Sequence, residues 1–148
     1  MMNLQPRGRR TAAVLIEFSF IAIVFFMFLF GVVEYGRLAM MIQLLNNAAR
    51  EGARAAVVGQ SSLTTAQVQN VVTNYLAGQN GQLQSMNIQV YQIDPSTGNN
   101  LGAWTSASFG QAIAVEIDAT YSPMLPSFLL MGNSFSLRGR SVMYSEAD

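Results

Sequence analysis

The sequence predicts an α+β protein: a long N-terminal helix, partly transmembrane, packed on a small antiparallel sheet, with a second short helix beside it. Three observations predict this. An apolar run without a single charge extends from Phe18 to Val33. Helical spacing of apolar residues then continues from Leu38 to Val58 with no proline to stop it. From Met86 onward the hydrophobic period changes to two, and helices followed by strands, rather than alternating with them, indicate α+β.

Arg7, Arg9 and Arg10 precede the apolar run, and Glu34 and Arg37 follow it. From Thr11 to Val33 the segment is long enough to cross ~30 Å of hydrocarbon at about 1.5 Å per residue. A cleaved secretory signal has an apolar core of roughly 7–15 residues and then a small-residue cleavage site. This run reads instead straight into Glu34-Tyr-Gly-Arg37, as a membrane helix does. Arginines on its N-terminal flank put that end in the cytoplasm by the positive-inside rule. The expected organisation is 1–12 as a basic leader, 13–36 as the transmembrane helix, 37–60 as its amphipathic continuation and 61–148 as an extracytoplasmic α+β domain. One residue interrupts the apolar character. A charge at the bilayer centre costs about 2.5–3.5 kcal/mol on insertion scales, so a carboxylate in such a segment normally has a partner. Glu17 is that carboxylate, or else a helix-end glutamate that reaches water at the cytoplasmic interface.

Beyond the membrane, Leu38, Met41, Ile42, Leu45, Ala48, Ala49, Gly52, Ala55 and Ala56 recur at three- and four-residue steps, with Gln43, Asn46, Asn47, Arg50 and Arg54 on the other face. One continuous helix of roughly 45–48 residues is expected, about 70 Å long. Gly31 and Gly36 weaken its middle by about 1 kcal/mol each relative to alanine, leaving room for a bend. Glu51 and Arg54 are spaced to meet across one turn. The small residues Ala48, Ala49, Gly52, Ala53 and Ala56 admit a close backbone, either the chain's own sheet or a helix of another subunit.

Gly59-Gln-Ser-Ser breaks the helix, and Thr64 with Gln67 forms a capping box for a second one, whose stripe is Val68, Val71, Val72, Tyr75 and Leu76, with Gly78 at its end. Met86–Val90 alternates as a strand, and Asp94-Pro-Ser-Thr-Gly-Asn-Asn100 is turn chemistry. In Gln111–Tyr121, Ile113, Val115, Ile117 and Tyr121 share one face, while Glu116 and Asp118 share the other. Phe135–Tyr144 is the third main strand, and a weaker one is expected around Trp104. The connection Ser122–Met131 is apolar but too short to span a membrane, so it tucks against the end of the sheet or the bilayer surface.

Composition narrows the chemistry. The chain has no cysteine and no histidine, which removes disulfides, thiolate metal sites, cysteine nucleophiles and the usual general base. Net charge is zero, so the clustered basic surface of a nucleic-acid binder is lacking. Glu116 and Asp118, sharing one strand face, could suggest a carboxylate dyad or calcium ligands, but without the flanking pattern of a calcium loop they read as a solvated strand face. No catalytic residue, metal or cofactor is therefore assigned, and the chain is expected not to be an enzyme.

Three blocks together carry a resemblance: Ala13-Val-Leu-Ile-Glu-Phe18, then Phe30-Gly-Val-Val-Glu-Tyr-Gly-Arg37, then Asn46-Asn-Ala-Ala-Arg-Glu-Gly-Ala-Arg54. They resemble the TadE-like family, minor pilin-like proteins or pseudopilins of the tight-adherence (Tad, Flp) pilus machinery. Val115–Tyr121 and Phe135–Met143 look like that family's closing hairpin. The resemblance implies a pilin-like fold and a single-pass protein of the bacterial inner membrane. It also implies trimming by a prepilin peptidase, assembly with other pilin-like subunits through the pilus machinery, and a place in or beside an extracellular filament active in secretion or adhesion. Carried onto this chain, the blocks make Glu17 and Phe18 the assembly and register residues. Gly31, Glu34, Tyr35, Gly36, Arg37, Asn47, Arg50, Glu51, Gly52 and Arg54 become structural motif residues. The family's leaders usually place glycine just before the cut; here Ala12 occupies that position, and cleavage between Ala12 and Ala13 leaves Glu17 fifth in the mature chain, whereas cleavage after Gly8, the nearby glycine, would leave it ninth.

Two functional classes follow. One is a subunit of a pilus or related secretion apparatus; the other is a solitary membrane-anchored envelope protein whose outer domain binds a ligand or partner. The arginine asymmetry gives both the same topology. A reporter fused after Asp148 is expected to be active only in its periplasmic form, and cytoplasmic-type activity there would rule out the orientation.

Overall fold

The computed structural model describes residues 8–79, 81–126, 129 and 132–146. Arg7 and the rest of residues 1–7 of the basic leader lie outside the described residues, as does part of the Ser122–Met131 connection.

Helix α1 runs from Gly8 to Val58, 51 residues without interruption, and passes through both Gly31 and Gly36. At about 1.5 Å per residue it is roughly 76 Å long. Its two halves differ in what surrounds them. Thr11–Val58 contains a stretch apolar and long enough to cross a membrane, and none of that window is buried within the protein. From Glu34 onward the helix acquires a buried stripe: Glu34, Met41, Leu45, Ala48, Ala49, Gly52, Ala53, Ala56 and Val57. Ile42 and Ala55, expected on that stripe, lie at its margin, while Ala53 and Val57 are inside it. The stripe is displaced because two elements cover it, the sheet on one side and the second helix on the other. Gln43, Asn46, Asn47, Arg50 and Arg54 are exposed, as the periodicity requires.

Helix α2 spans Thr65–Tyr75. Thr64 accepts from the Gln67 amide at 3.3 Å while the Gln67 side chain accepts from the Thr64 amide at 2.8 Å, the reciprocal capping box its sequence predicts. Val68, Val72 and Leu76 are buried, but Val71 is half-buried and Tyr75 exposed, and the helix ends on Leu76 before reaching Gly78. So short a helix wedged between α1 and the sheet edge buries only a narrow stripe.

The sheet is antiparallel, with strands β1 (Leu83–Ile93), β2 (Asn100–Gly102), β3 (Ala112–Tyr121) and β4 (Phe135–Tyr144) in the order β2-β1-β3-β4. The order is not a plain meander: β2 folds back on the outer edge of β1, and β3 returns on its other side. The turn into β2 is set by Asp94, whose carboxylate accepts from the Ser96 amide at 2.9 Å, the Ser96 hydroxyl at 2.6 Å and the Thr97 hydroxyl at 2.7 Å. Those bonds hold the Asp94 carboxyl down at about 2. The weak strand expected around Trp104 is β2, slightly earlier. Trp104 itself sits in a short 3₁₀ turn with its ring buried and its indole N–H donating to the Thr65 hydroxyl at 2.9 Å, a geometry an edge strand would not allow.

β1 is longer than its alternating core. The register slips between Gln84 and Asn87, and Ser85 takes φ of 51°, the left-handed conformation of a β-bulge. The extra residue reverses the parity, so Leu83 faces inward opposite Tyr121 although Ile88 and Val90 define the same face further along. β3 is central, and Ile113, Val115, Ile117, Ala119 and Tyr121 carry the floor on which α1 lies.

Contact between helix and sheet is close because two glycines permit it. A Cβ on Gly52 would stand 2.5 Å from Val72 Cγ2 and 3.3 Å from Val115 Cγ1. A Cβ on Gly139 of β4 would stand 2.7 Å from the backbone carbonyl of Leu45. In the second case the obstacle is helix backbone, which cannot rotate away. The small residues of α1 thus seat the helix on the chain's own sheet, and Ala48, Ala49, Ala53 and Ala56 are fully buried there. Overpacking of this kind costs about 1–3 kcal/mol. Gly139→Ala is therefore expected to lower the thermal midpoint of the full chain in detergent, with Gly139→Val lowering it further. An unchanged midpoint for both would show that β4 does not press on α1 at Leu45.

Candidate functional site

The motif residues separate into three places along α1. Ala12, Ala13, Glu17 and Phe18 stand exposed on the apolar half, with Phe18 at 67% exposure. No side chain among the described residues pairs with the Glu17 carboxylate. Val14, Leu15, Ile16, Phe20 and Ile21 are exposed around it. This is an acid on a greasy surface.

Glu34 is the opposite case. It lies on the same helical face as Met41 and Ala48, each one heptad further on, so the sheet domain covers it and leaves it only 4% exposed. Burial of a carboxylate requires compensation, and three groups supply it. The Tyr121 hydroxyl at the end of β3 donates to Glu34 Oε1 at 2.5 Å, and the Met124 amide reaches the same oxygen at 3.4 Å. Arg37, one turn along, approaches Oε2 at 3.4 Å while its other nitrogen donates to Gln82 Oε1 at 2.8 Å. Gln82 lies just before β1, where its backbone carbonyl accepts from the Ser122 amide. The Glu34–Arg37 pair therefore ties the helix to the ends of two neighbouring strands. Tyr35 and Gly36, between them, face away, Tyr35 with 74% exposure. Gly31, one turn earlier, lies against Leu129 of the β3–β4 connection.

Sequence reasoning identified Glu34 and Arg37 as motif residues but not their partners. A usable signal existed: Glu34 occupies the core heptad position ahead of Met41, and a buried-face acid needs a donor from the facing strand. The inward-facing residue at the end of the second main strand is a tyrosine. Burial first, and then the hydrogen bond and negative charge of Glu34, raise the Tyr121 phenol from its ordinary 10.0 to about 12.

The third place is the Asn46–Arg54 block. Gly52 lies in the close contact already described, while Asn47, Arg50 and Arg54 project from the opposite face into solvent. Glu51 is paired with Arg54 at 3.8 Å, in the i, i+3 geometry the spacing predicts. Where the helix ends, Gln60 is buried: its amide donates to the Trp104 and Ala107 carbonyls, and its oxygen accepts from the Ser145 hydroxyl at 2.5 Å. That clamp left no sequence signal beyond a glutamine beside the helix-breaking glycine.

On the outer sheet face, Glu116 is only 8% exposed and lies 3.2 Å from Arg138 and 3.7 Å from Arg140; it also accepts from the Tyr91 hydroxyl at 3.0 Å. Arg138 pairs in addition with Asp118 at 2.7 Å. Both acids are thus occupied by arginines directly across the β3–β4 ladder. They form a cross-strand charge lattice rather than the solvated face or acid–base dyad that their alternation allows. Among the described residues, no group of three or more acidic, histidine or cysteine side chains gathers to hold a metal.

The segment that contains the exposed Glu17 and the buried Glu34 is also the one recognised by comparison. The family model for TadE-like protein matches residues 12–54. No curated protein and no solved structure matches the chain.

The Glu34 network makes a prediction with a definite sign. Because the folded-state value of Tyr121 is raised, its contribution to stability is whole below about pH 10 and is lost as pH rises toward 12. Among the five tyrosines, tyrosinate absorbance should show a late-titrating group that disappears in Tyr121→Phe. That variant should also be less stable at neutral pH by about 1.5–3 kcal/mol, the range for a hydrogen bond to a charged group. Loss of neither the late step nor the stability would mean that Glu34 does not rest on Tyr121.

Proposed function

We propose that this chain is a TadE-like, pilin-like subunit anchored in the bacterial inner membrane, taking part in the assembly or structure of a Tad-type pilus or related secretion apparatus. The observation that carries the reading is continuity. One helix with an exposed apolar half, and Glu17 near its start, runs unbroken into a half that forms the wall of a small sheet domain. The family match extends across that junction. A solitary envelope anchor would leave both Glu17 and the exposed strip of Asn47, Arg50 and Arg54 without a role.

In this reading the N-terminus is cytoplasmic, and the sheet domain lies outside the inner membrane or in a filament. A prepilin peptidase hydrolyses the Ala12–Ala13 bond, and the new amine appears about 6 Å along the helix axis from Glu17. Phe18, Phe20 and Phe25 are all more than half exposed and offer adhesion to neighbouring pilin-like subunits. Contacts of that kind are non-directional and tolerate sliding along the axis. A carboxylate facing an amine does not, because a slipped pair leaves two charges desolvated alone. Glu17 thus sets the axial stagger of incoming subunits, and the phenylalanines supply the area.

Glu17→Ala is expected to insert in the membrane as well as the unmodified chain while abolishing piliation or incorporation. Glu17→Asp, with shorter reach, should retain part of both. Mass spectrometry of the mature terminus combined with pull-down of pilus components from the alanine strain decides the matter. Normal piliation there would reduce Glu17 to an ordinary interfacial residue.

A further inference from the structure

Apart from the Met124 amide on Glu34, the side chains of the connection between β3 and β4 serve no purpose in the Glu34 network. Ser122–Ser134 contains no charged residue, in a chain whose neighbouring strands carry Glu116, Asp118, Arg138 and Arg140. Of its described members, Met124 is 71% and Leu125 41% exposed. Such exposure of large apolar side chains is ordinary when they are scattered, but these are contiguous and placed beside other apolar surface. Leu129 comes to α1 at Gly31, where its Cδ2 lies 4.0 Å from the position a Cβ would take. Together with Met27, Phe28, Val32 and Tyr35, it borders an open notch of roughly 450 Å³.

The level of this contact along α1 decides what covers it. Gly31 lies within the uncharged run, about 4.5 Å to the membrane side of Glu34 on the helix axis. The polar network of Glu34, Arg37, Tyr121 and Gln82 closes the space immediately above, and the Met124 amide belongs to it. Below that level the helix surface is apolar all round, and Leu129 has joined it. Resting on the reading of α1 as a membrane span, we propose that the β3–β4 connection is a second membrane contact. Met124, Leu125 and Leu129 enter the leaflet on the sheet-domain side, and phospholipid acyl chains fill the notch beside Gly31. The loop is continuous with the apolar surface of the span, and among the residues bordering the notch Tyr35 carries the one polar group, a single hydroxyl and no charge, too little to specify a register for a protein partner; both features favour lipid over a second copy. Two points of contact then fix the tilt of the sheet against the bilayer, which a single helix leaves free to rotate.

The absence of cysteine makes the test clean. Met124→Cys, Leu129→Cys, Phe25→Cys and Phe109→Cys are each labelled with an environment-sensitive fluorophore in the full chain, reconstituted in phosphatidylethanolamine–phosphatidylglycerol vesicles. Phe109 is 67% exposed at the far end of the sheet, where Gly110 bonds to Ser145, and serves as the aqueous reference. Labels at positions 124 and 129 should be quenched by nitroxides placed high on the acyl chain and be several-fold less accessible to iodide than the label at 109. Iodide reaching 124 and 129 as freely as 109 would overturn the lipid contact. Shielding that vanishes when the protein is diluted in lipid would overturn it too, by assigning the notch to a second copy. The label at 25 separates the two levels of argument. Quenching there by deep nitroxides with an iodide-accessible 129 sinks the loop contact alone, whereas an unquenched 25 removes the membrane span and this inference with it.

Discussion

A single unbroken helix has to serve two surroundings along one axis, and the rest of the structure follows from where it changes from one to the other. From Phe18 through Val33 the helix is apolar on every face, which suits hydrocarbon. From Glu34 it is apolar on one face only, which suits a sheet. The change takes one turn, and within that turn the chain places an acid and an arginine whose other partners come from Tyr121 and Gln82, far away in sequence. Without those partners the helix and sheet would meet across a buried carboxylate with nothing to answer it. Breaking a buried pair by removing one member costs about 3–5 kcal/mol.

The packing beyond that turn is governed by closeness. Alanines and Gly52 give α1 a thin wall, Gly139 removes the one side chain that would strike the helix backbone, and the bulge at Ser85 turns Leu83 under Tyr121. The bulge lies at the end where β1 pairs with β3, the end whose Tyr121 reaches Glu34. The Gln60 clamp does the corresponding work at the other end, holding the helix terminus to the Trp104 turn and to Ser145 after β4. Between the two polar ties the interface is apolar and carries little directional information of its own.

What the sequence disclosed and what it did not divide along the range of the interactions. The extent of α1, the capping box at Thr64 and Gln67, and the strands ending at Tyr121 and Tyr144 rest on local periodicity and caps, which residues a few positions apart determine. The order β2-β1-β3-β4, the bulge, the buried Trp104 turn and the partner of Glu34 depend on contacts distant in sequence, and period-two alternation is indifferent to all of them. Glu116 and Asp118 show the same limit. Alternation placed them correctly on the outer face but could not show that Arg138 and Arg140 stand opposite, because that depends on the β3–β4 register. At the candidate site, the sequence marks Glu17 and Glu34 alike; that one is exposed and the other buried depends on where the sheet domain packs, which is again a contact distant in sequence.

That division is the informative one. Both are glutamates on one helix, separated by about 25 Å on its axis, somewhat less than the ~30 Å of a hydrocarbon core. If Glu34 marks the outer boundary, where the sheet domain begins, Glu17 falls inside the opposite leaflet rather than beyond it. Glu34 is satisfied within its own chain and buried by its own domain, so its function is complete in the single subunit. Glu17 is carried on an exposed apolar surface that none of the described residues covers. In the proposed reading, the cost of desolvating it is met by a group that arrives with the membrane-embedded surroundings. A terminal amine, on this chain or an incoming one, has the charge and the depth to do so. The same helix therefore carries an internal tie that fixes the sheet domain on it, and, in the proposed reading, a second carboxylate free to serve an external one. Their spacing, set by the helical rise, holds the second at a constant depth below the first.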